Sequence, residues 1–307
     1  MGLAISTAWN SLKSNSGDKI IREIKKLGFE EVELNFNLTS LMIKDIFYLS
    51  ESSYIKIVSV HNFCPIPKGL SRLRVLPDYY SISSPDEDER KLAIHFTKRS
   101  IDTAYKFRAK AVVLHCGRSK GVDPTKKLID LYRKGLKGSP YYRRLKEKML
   151  THRESIHKTF FKNTLHSLEI LNKYAQKRDI ILGIENRFYF FEIPSFEEIG
   201  IILKKFYGSK IFYWHDTGHA QLQENLGLTK HIDFLSSYSE YMCGIHIHDI
   251  KNADDHKAPL QGEIDFNILY PYIKQETLKI MEVHMSSKEK DIIDAKVYLK
   301  TILNGKL

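Results

Sequence analysis

The sequence predicts an α/β protein built as a single (β/α)8 TIM barrel, with a basic helical insertion after the fourth strand. Short apolar, β-branched runs alternate along the 307 residues with stretches of helical periodicity, and there are eight such pairs. Eight βα units in succession call for parallel strands joined by right-handed crossovers, and a closed barrel is the simplest arrangement of them. A doubly wound open sheet is the alternative, but the sequence lacks the glycine-rich first turn that usually accompanies that fold.

The predicted strands are short and rich in apolar residues, as expected of parallel strands that are buried on both faces. In chain order they are Leu3–Ser6, Glu31–Phe36, Ile55–His61, Ala111–Cys116, Ile180–Glu185, Ile211–Asp216, Gly244–His248 and Leu278–His284. The helices between them follow from apolar residues that recur every three or four positions. In chain order they are Lys19–Leu27, Leu41–Leu49, Asp88–Phe107, Ser155–Lys177, Ser195–Phe206, Ile232–Tyr241, Phe266–Ile273 and Lys288–Leu303.

Composition is that of a globular protein and argues against several other classes. Hydrophobic residues make up 42% of the chain and charged residues 28%, and no linker or repeat divides it, so one domain over residues 1–307 is expected. No apolar run approaches the roughly 18 residues that span a membrane, and the N-terminus does not look like a signal peptide. Cys64, Cys116 and Cys243 are far apart, which favours buried thiols in a cytoplasmic protein over disulfides or a thiolate zinc site.

The formal net charge of +11 is concentrated in residues 118–153, which hold twelve Lys or Arg and three Asp or Glu. Such a patch suits the phosphate of a nucleic acid or sugar phosphate, although a solvated helical insertion would have the same composition. Because the segment follows the fourth strand, we expect a lid over the active-site mouth. Pro140, after a Gly-Ser pair, predicts a break into two short helices. Arg143 and Arg144 are the candidates to reach the pocket.

Side chains that can bind metals stand at seven of the eight predicted strand ends. They are Glu33, His61, His115, Glu185, Asp216, His246 and Glu282. The carboxyl ends of barrel strands converge on one mouth, where these groups would be costly to desolvate and would repel one another without a cation. Histidine and carboxylate ligands without a thiolate set suit Zn²⁺, Mn²⁺ or a similar divalent ion. A purely hydrogen-bonded polar network is the other interpretation.

Spacing adds further candidates in two short stretches. In WHDTGHA, Asp216 and His219 are three residues apart, so a turn after the sixth strand can point both at one centre. His215 alternates away from Asp216 and is expected to pack against a helix. In the DDH stretch, Asp254 and His256 are two residues apart and would share one face of an extended loop.

Together these motifs resemble the xylose isomerase-like barrel superfamily over nearly the whole chain. The motifs are His61, His115, GIEN, DTGH, IHIHD, DDH, PLQGEIDF and Glu282. The superfamily includes sugar isomerases and epimerases and the endonuclease IV type of abasic-site nuclease. The resemblance implies a metal core of Glu185, Asp216, His246 and Glu282. In the nuclease branch, a cluster of up to three zinc ions would be completed by His61, His115, His219, Asp254 and His256.

The resemblance to the sugar enzymes implies that Glu185 and Glu282 are catalytic. One glutamate would remove a proton from a carbon next to a carbonyl and the other would return it, while a divalent metal polarises the oxygens. The cofactor would be one to three ions of Zn, Mn, Mg or Co, and the partner a small sugar or sugar phosphate, with no membrane. The expected substrate-binding residues are His61, His115, Arg187, His219, His248 and His256.

A zinc-dependent nuclease acting on abasic DNA is the alternative, because all nine ligand positions can be filled and the basic segment suits DNA. Departures from the nuclease pattern favour the sugar enzymes. The first strand has Gly2-Leu3-Ala4 in place of Gly-Ala-His, and the seventh has His-Ile-His-Asp in place of His-Leu-Asn-Asp. After Glu33 a helix follows too soon to leave a loop that probes DNA. A divalent-metal-dependent sugar isomerase or epimerase is therefore the preferred prediction.

Overall fold

A computed structural model describes residues 2–121 and 123–303, and its central feature is a closed barrel of eight parallel strands. The strands are β1 (Leu3–Ser6), β2 (Glu31–Leu34), β3 (Lys56–His61), β4 (Ala111–Leu114), β5 (Ile181–Glu185), β6 (Ile211–Asp216), β7 (Met242–Ile247) and β10 (Leu278–Met281). Each pairs in parallel with the next, and β10 closes the barrel by pairing with β1, where Ala4 lies opposite Ile280. The predicted (β/α)8 TIM barrel is confirmed.

Helices pack around the barrel, and most begin at a residue whose side chain caps the helix. They are α1 (Gly17–Lys26), α2 (Ser40–Glu51), α3 (Glu87–Lys106), α4 (Thr125–Arg133), α5 (Pro140–Gln176), α6 (Phe196–Lys205), α7 (Thr217–Asn225), α8 (His231–Tyr238) and α9 (Glu289–Leu303). Ser195 forms a full capping box with Glu198, as its place after Pro194 indicates. Within the described ranges, none of the helices combines the length and the apolar character needed to cross a membrane.

Outside the basic segment, the chain departs from the predicted elements in three places. Residues 217–225 form α7 directly after β6, where a turn was expected, because the Asp216 side chain accepts a hydrogen bond from the backbone N–H of His219 and caps a helix. A short hairpin, β8 (Asp249–Lys251) and β9 (Asp254–Lys257), follows β7. The helix predicted at Phe266–Ile273 is a 3-10 helix over Phe266–Tyr272 that contains Pro271.

The basic segment is only partly the insertion that was predicted. It does break before Pro140, but the second helix is not short. Ser139 caps α5, which then runs for 37 residues and absorbs the helix predicted to begin at Ser155. Two side chains fasten this helix to the loop between α7 and α8: Tyr142 donates to the carbonyl of Leu226 at 2.9 Å, and Lys146 donates to the carbonyl of Gly227 at 3.0 Å.

The interior of the barrel is filled around Trp214, which is fully buried on β6. The neighbouring strands make room for the indole with glycines. A Cβ added to Gly244 on β7 would lie 2.2 Å from Cζ3 of Trp214, and one added to Gly183 on β5 would lie 2.7 Å from its Cε3. Both distances are too short for any side chain, so these two glycines are required by the close approach of the indole rather than by backbone conformation.

We predict that Gly244→Ala destabilises the protein by about 1–3 kcal/mol, because the new methyl group overpacks a barrel that cannot expand. Urea or thermal unfolding measures the change. Gly138→Ala is the matched control, since an added Cβ there has no neighbour within 4 Å, and its free energy of unfolding should stay within about 0.5 kcal/mol of the parent protein. Equal stability of the two variants would show that the barrel accommodates the methyl group.

Candidate active site

Four predicted metal ligands meet at the carboxyl ends of β5, β6, β7 and β10. Glu185, Asp216, His246 and Glu282 are buried, and each offers a ligand atom within 4.8 Å of the others. Nδ1 of His246 is the centre of the group, at 2.8 Å from Glu185 Oε1, 2.9 Å from Glu282 Oε2 and 3.8 Å from Asp216 Oδ2. Three carboxylates and one imidazole are a donor set that fits a divalent cation.

The protonation states of these groups follow from burial and from the charges of their neighbours. Burial alone would raise the pKa of Glu282, but His246 and His256 outweigh it and hold that pKa well below its usual range. Burial likewise opposes ionisation of Asp216, and His219 and His248 nevertheless lower its pKa to about 2. The carboxylates are therefore ionised at neutral pH, which is the form that binds metal.

Glu33 on β2 holds the far side of the central imidazole. Its carboxylate oxygens lie 3.0 and 3.2 Å from Nε2 of His246, and Ser59 donates to Oε2 at 2.8 Å. A carboxylate facing Nε2 favours a proton there, so a cation that replaced the proton on Nδ1 would bind the Nδ1 lone pair, which is the usual arrangement around metal-binding histidines. Glu33 stood among the strand-end residues of the sequence, but its contact with His246 depends on barrel closure.

The second oxygen of Glu185 is occupied by two neighbours. Nη1 of Arg187 donates to Oε2 at 2.6 Å, and Nε2 of His115 lies 2.7 Å from the same atom. Burial and the nearby Arg187 lower the pKa of His115 to about 3. His115 is therefore neutral and donates its one proton to Glu185. Nη2 of Arg187 also reaches Glu192, at 3.3 Å.

His61 and His115, predicted as outer ligands, lie beside this group. The ring of His61 packs edge-on against that of His115, with centroids 4.9 Å apart, and lies parallel to that of His246 at 5.9 Å. Nδ1 of His61 lies 3.2 Å from the carbonyl of Asn62, which requires a proton on Nδ1 and leaves Nε2 as an acceptor. His61, His115 and Glu185 form a second group whose ligand atoms lie within 4.8 Å of one another.

Asn186, in the GIEN motif, orients Asp216 and His219. Its Oδ1 accepts from the backbone N–H of Asp216 at 2.7 Å, and its Nδ2 donates to the Asp216 carbonyl at 3.0 Å. Its own carbonyl lies 3.0 Å from Nδ1 of His219, so the free lone pair of that ring is on Nε2. The GIEN motif contains this asparagine, but the sequence alone did not predict its role.

His215, the neighbour of Asp216, points out of the barrel as its alternation predicts. Its Nδ1 lies 2.7 Å from the hydroxyl of Tyr213, which donates to Asn186 at 3.0 Å, and its Nε2 lies 2.9 Å from Nε2 of His231 on α8. Burial and His231 hold the pKa of His215 well below its usual range, and burial lowers that of His231 to about 4. The two rings form a neutral network behind Asn186.

The remaining predicted ligands behave unequally. His219, His248 and His256 form a third group with ligand atoms within 4.8 Å of one another. The two nitrogens of His248 are nevertheless engaged: the backbone N–H of His256 donates to Nδ1 at 3.0 Å, and Nε2 lies 3.0 Å from both oxygens of Asp216. His248 is fully buried, so its role in this structure is to hold Asp216 and the β9 backbone.

Asp254 does not join any of the three donor groups. Its carboxylate is 65% exposed and lies 2.5 Å from Nζ of Lys257. The next residue, Asp255, faces inward instead, and its Oδ2 lies 3.0 Å from Nδ1 of His256 without forming a hydrogen bond. His256 has a left-handed backbone with φ of 54°, which breaks the two-residue alternation on which the pairing of Asp254 with His256 was based.

A cavity of about 990 Å³ opens above these groups, and the basic segment forms part of its wall. Arg118, Lys120, Lys126 and Arg133 are the basic residues of this segment that line it. The guanidinium of Arg133 also donates to the carbonyls of Asn252 and Ala253, both at 2.9 Å, and so ties α4 to the turn between β8 and β9. The prediction that Arg143 or Arg144 reaches the pocket was wrong. Both are exposed on α5, and neither lines the cavity.

Solved structures share this fold at low sequence identity. A D-tagatose 3-epimerase-like protein is 18% identical, with 100% of this chain and 98% of that chain covered and a TM-score of 0.66. D-psicose 3-epimerase from Clostridium cellulolyticum H10, solved with D-tagatose, is 15% identical over 99% of each chain, with a TM-score of 0.69. IOLI protein with a bound zinc atom is 13% identical over 100% of this chain and 99% of that chain, with a TM-score of 0.68.

The sequence itself supplies the family. A search of curated proteins finds no match to this chain. The model of one family, described as xylose isomerase-like TIM barrel, matches residues 21–300, which include β2 to β10 and all the strand-end groups described above. This chain therefore belongs to the xylose isomerase-like TIM barrel family.

Proposed function

We propose that the protein is a divalent-metal-dependent isomerase or epimerase that acts on a small sugar. The observation that carries the proposal is the group of Glu185, Asp216, His246 and Glu282 at the floor of an open cavity. The structural neighbours that process sugars, among them the D-psicose 3-epimerase solved with D-tagatose, support the same class of reaction. A divalent cation held by these four residues would polarise the carbonyl and hydroxyl oxygens of the substrate.

Glu282 and Glu185 would exchange the proton in this reaction, and their surroundings differ. Only Oε2 of Glu282 has a partner in the donor group, so Oε1 is free to face the cavity that this residue lines. Glu282 is therefore the better placed to remove the proton from the carbon next to the carbonyl, while the C–H electron pair moves toward the carbonyl oxygen. Glu185, which is ionised like Glu282, would take a proton from water in the cavity and deliver it to the opposite face of that carbon, and Glu282 would then lose its proton to water. Arg187 and His115 would hold Glu185 in position meanwhile.

The predicted substrate-binding residues would act around this centre. His61, His115, His219 and His256 line the cavity with Glu185 and Glu282, and the free Nε2 lone pairs of His61 and His219 can accept hydrogen bonds from hydroxyl groups. Arg187 lines the same wall. His248 would act indirectly, through Asp216, because both of its nitrogens are already engaged.

A zinc-dependent phosphodiesterase acting on abasic DNA is the second candidate, and one observation favours it. Beside the central group, the described residues hold two further sets of close donor atoms, formed by His61, His115 and Glu185 and by His219, His248 and His256. Neighbouring sets that share Glu185 would suit more than one ion. The commitment of both His248 nitrogens and the outward turn of Asp254 weaken the third set.

Replacing the proposed base tests the main proposal. Glu282→Gln should lower kcat for epimerisation of D-tagatose or a related ketose by about 100- to 10,000-fold, because the amide cannot accept the proton. Glu289→Gln, on the exposed first turn of α9, is the matched control and should keep full activity. Chromatographic separation of the epimers measures both. Full activity in Glu282→Gln would exclude this residue as the base.

The carboxylate behind the metal ligand can be tested by metal binding alone. Glu33→Gln should weaken affinity for Mn²⁺ or Zn²⁺ by about 10- to 100-fold, because the amide no longer fixes the ring of His246. Glu31→Gln, at the other end of β2 and paired with Lys56 at 2.6 Å, should leave affinity unchanged. Competition with a chromogenic chelator gives both constants. Equal affinities would mean that His246 is oriented by other contacts.

Abasic duplex DNA separates the two candidate functions. We expect weak binding of a short abasic duplex and no strand cleavage by the zinc-loaded protein. Tight binding that falls steeply between two salt concentrations, together with cleavage, would establish the phosphodiesterase instead, because phosphate contacts release counterions. Metal content per chain, measured on the same preparation, reports whether one ion or several are held.

A further inference from the structure

The cavity contains a buried carboxylate that neither the metal group nor the proposed reaction uses. Asp78 lies on the long loop between β3 and α3, lines the cavity and is 6% exposed. Its Oδ2 is buried and has no hydrogen-bond partner among the described residues. A buried charged oxygen without a donor is costly to maintain, so it points to a ligand that supplies the donor.

The loop gives Asp78 little freedom to turn toward solvent. Ahead of it, Nε of Arg72 donates to the carbonyl of Asn37 at 2.9 Å. Behind it, the ring of Tyr80 stacks on Phe96 with centroids 5.5 Å apart. These contacts anchor the loop on both sides of Asp78. The carboxylate therefore lacks a partner although the backbone that carries it is held in place.

Two other residues that line the cavity each hold a buried atom without a hydrogen-bond partner among the described residues. These atoms are Nε of Arg187, which is a donor, and Nδ1 of His115, which is an acceptor because the proton of that ring faces Glu185. With Asp78, the residues of this wall hold one donor and two acceptors that no described residue satisfies. Sugar hydroxyl groups, each a donor and an acceptor, match such a set.

The side chains that line the cavity, counted without the proposed divalent cation, argue against a phosphate beside Asp78. Acidic residues that line it outnumber basic ones by eight to five. The acids are Asp78, Asp123, Asp130, Glu185, Glu192, Asp254, Asp255 and Glu282, and the bases are Arg118, Lys120, Lys126, Arg133 and Arg187. Of these five bases only Arg187 is buried, and its guanidinium is already paired with Glu185 and Glu192, so the carboxylate of Asp78 would repel a phosphate placed beside it.

We propose that Asp78 is a substrate-binding residue that accepts hydrogen bonds from sugar hydroxyl groups and thereby selects unphosphorylated sugars over sugar phosphates. This inference rests on the proposed sugar-converting function and narrows its substrate class. It also makes the stability of the ligand-free protein informative. A carboxylate kept for a ligand destabilises the free protein, whereas a structural carboxylate stabilises it.

Equilibrium dialysis of the metal-loaded full chain with D-tagatose and with D-tagatose 6-phosphate tests the proposal. The parent protein should bind the free sugar at least tenfold more tightly than the phosphate. Asp78→Ala should weaken binding of the free sugar at least tenfold. Asp78→Asn should reduce the ratio of affinities by which the parent protein favours the free sugar over the phosphate. Asp88→Asn, on the exposed first turn of α3, removes the same charge outside the cavity and should change neither constant.

Thermal unfolding and turnover complete the experiment. Asp78→Ala and Asp78→Asn should melt at the same temperature as the ligand-free parent or higher, and a lower melting temperature would assign Asp78 to the fold. Unchanged sugar binding in Asp78→Ala, tighter binding of the phosphate by the parent or no binding of either sugar would also overturn the inference. If sugar binding depends on Asp78 but the parent protein does not epimerise the sugar, the proposed function is refuted and this inference stands. If the parent epimerises the sugar but Asp78→Ala binds it as tightly, this inference is refuted and the proposed function stands.

Discussion

The structure depends on the repulsion among the acids that barrel closure brings to one point. Glu33, Glu185, Asp216 and Glu282 come from four different strands and surround the single imidazole of His246. Burial alone would lower the pKa of His246, but Glu282 and Glu33 outweigh it and raise that pKa well above its usual range. The surrounding carboxylates thus stabilise a positive charge at this position, and a bound divalent cation would be stabilised in the same way.

The repulsion among these carboxylates explains why the surrounding polar residues hold each of them by hydrogen bonds. Arg187 and His115 hold the outer oxygen of Glu185, and Asn186 holds both the backbone of Asp216 and the ring of His219. A ligand set assembled from separate strands keeps its geometry only if each member is oriented from behind, since repulsion would otherwise drive the carboxylates apart. The network of Tyr213, His215 and His231 extends this support to α8.

The sequence predicted the parts of this arrangement that depend on strand ends. Eight β-branched runs determine a barrel, and a barrel places residues such as Glu185 and Glu282 at one mouth, so periodicity was enough to assemble the core. The loops obey no such rule. The left-handed backbone of His256 moves Asp255 inward in place of Asp254. Asp78 carries no motif, and only the fold reveals that it is buried without a partner.

The basic segment shows why composition is a poor guide to what a site binds. Its twelve Lys and Arg suggested an anionic ligand, yet several of them act on the protein instead. Arg133 and Lys146 donate to backbone carbonyls of the facing loops and so fasten the segment to them, while Arg143 and Arg144 face solvent. A backbone carbonyl accepts a hydrogen bond without cancelling charge, so the segment stays basic, while acids outnumber bases among the residues that line the cavity. The charge that a ligand meets is set by the inward side chains alone.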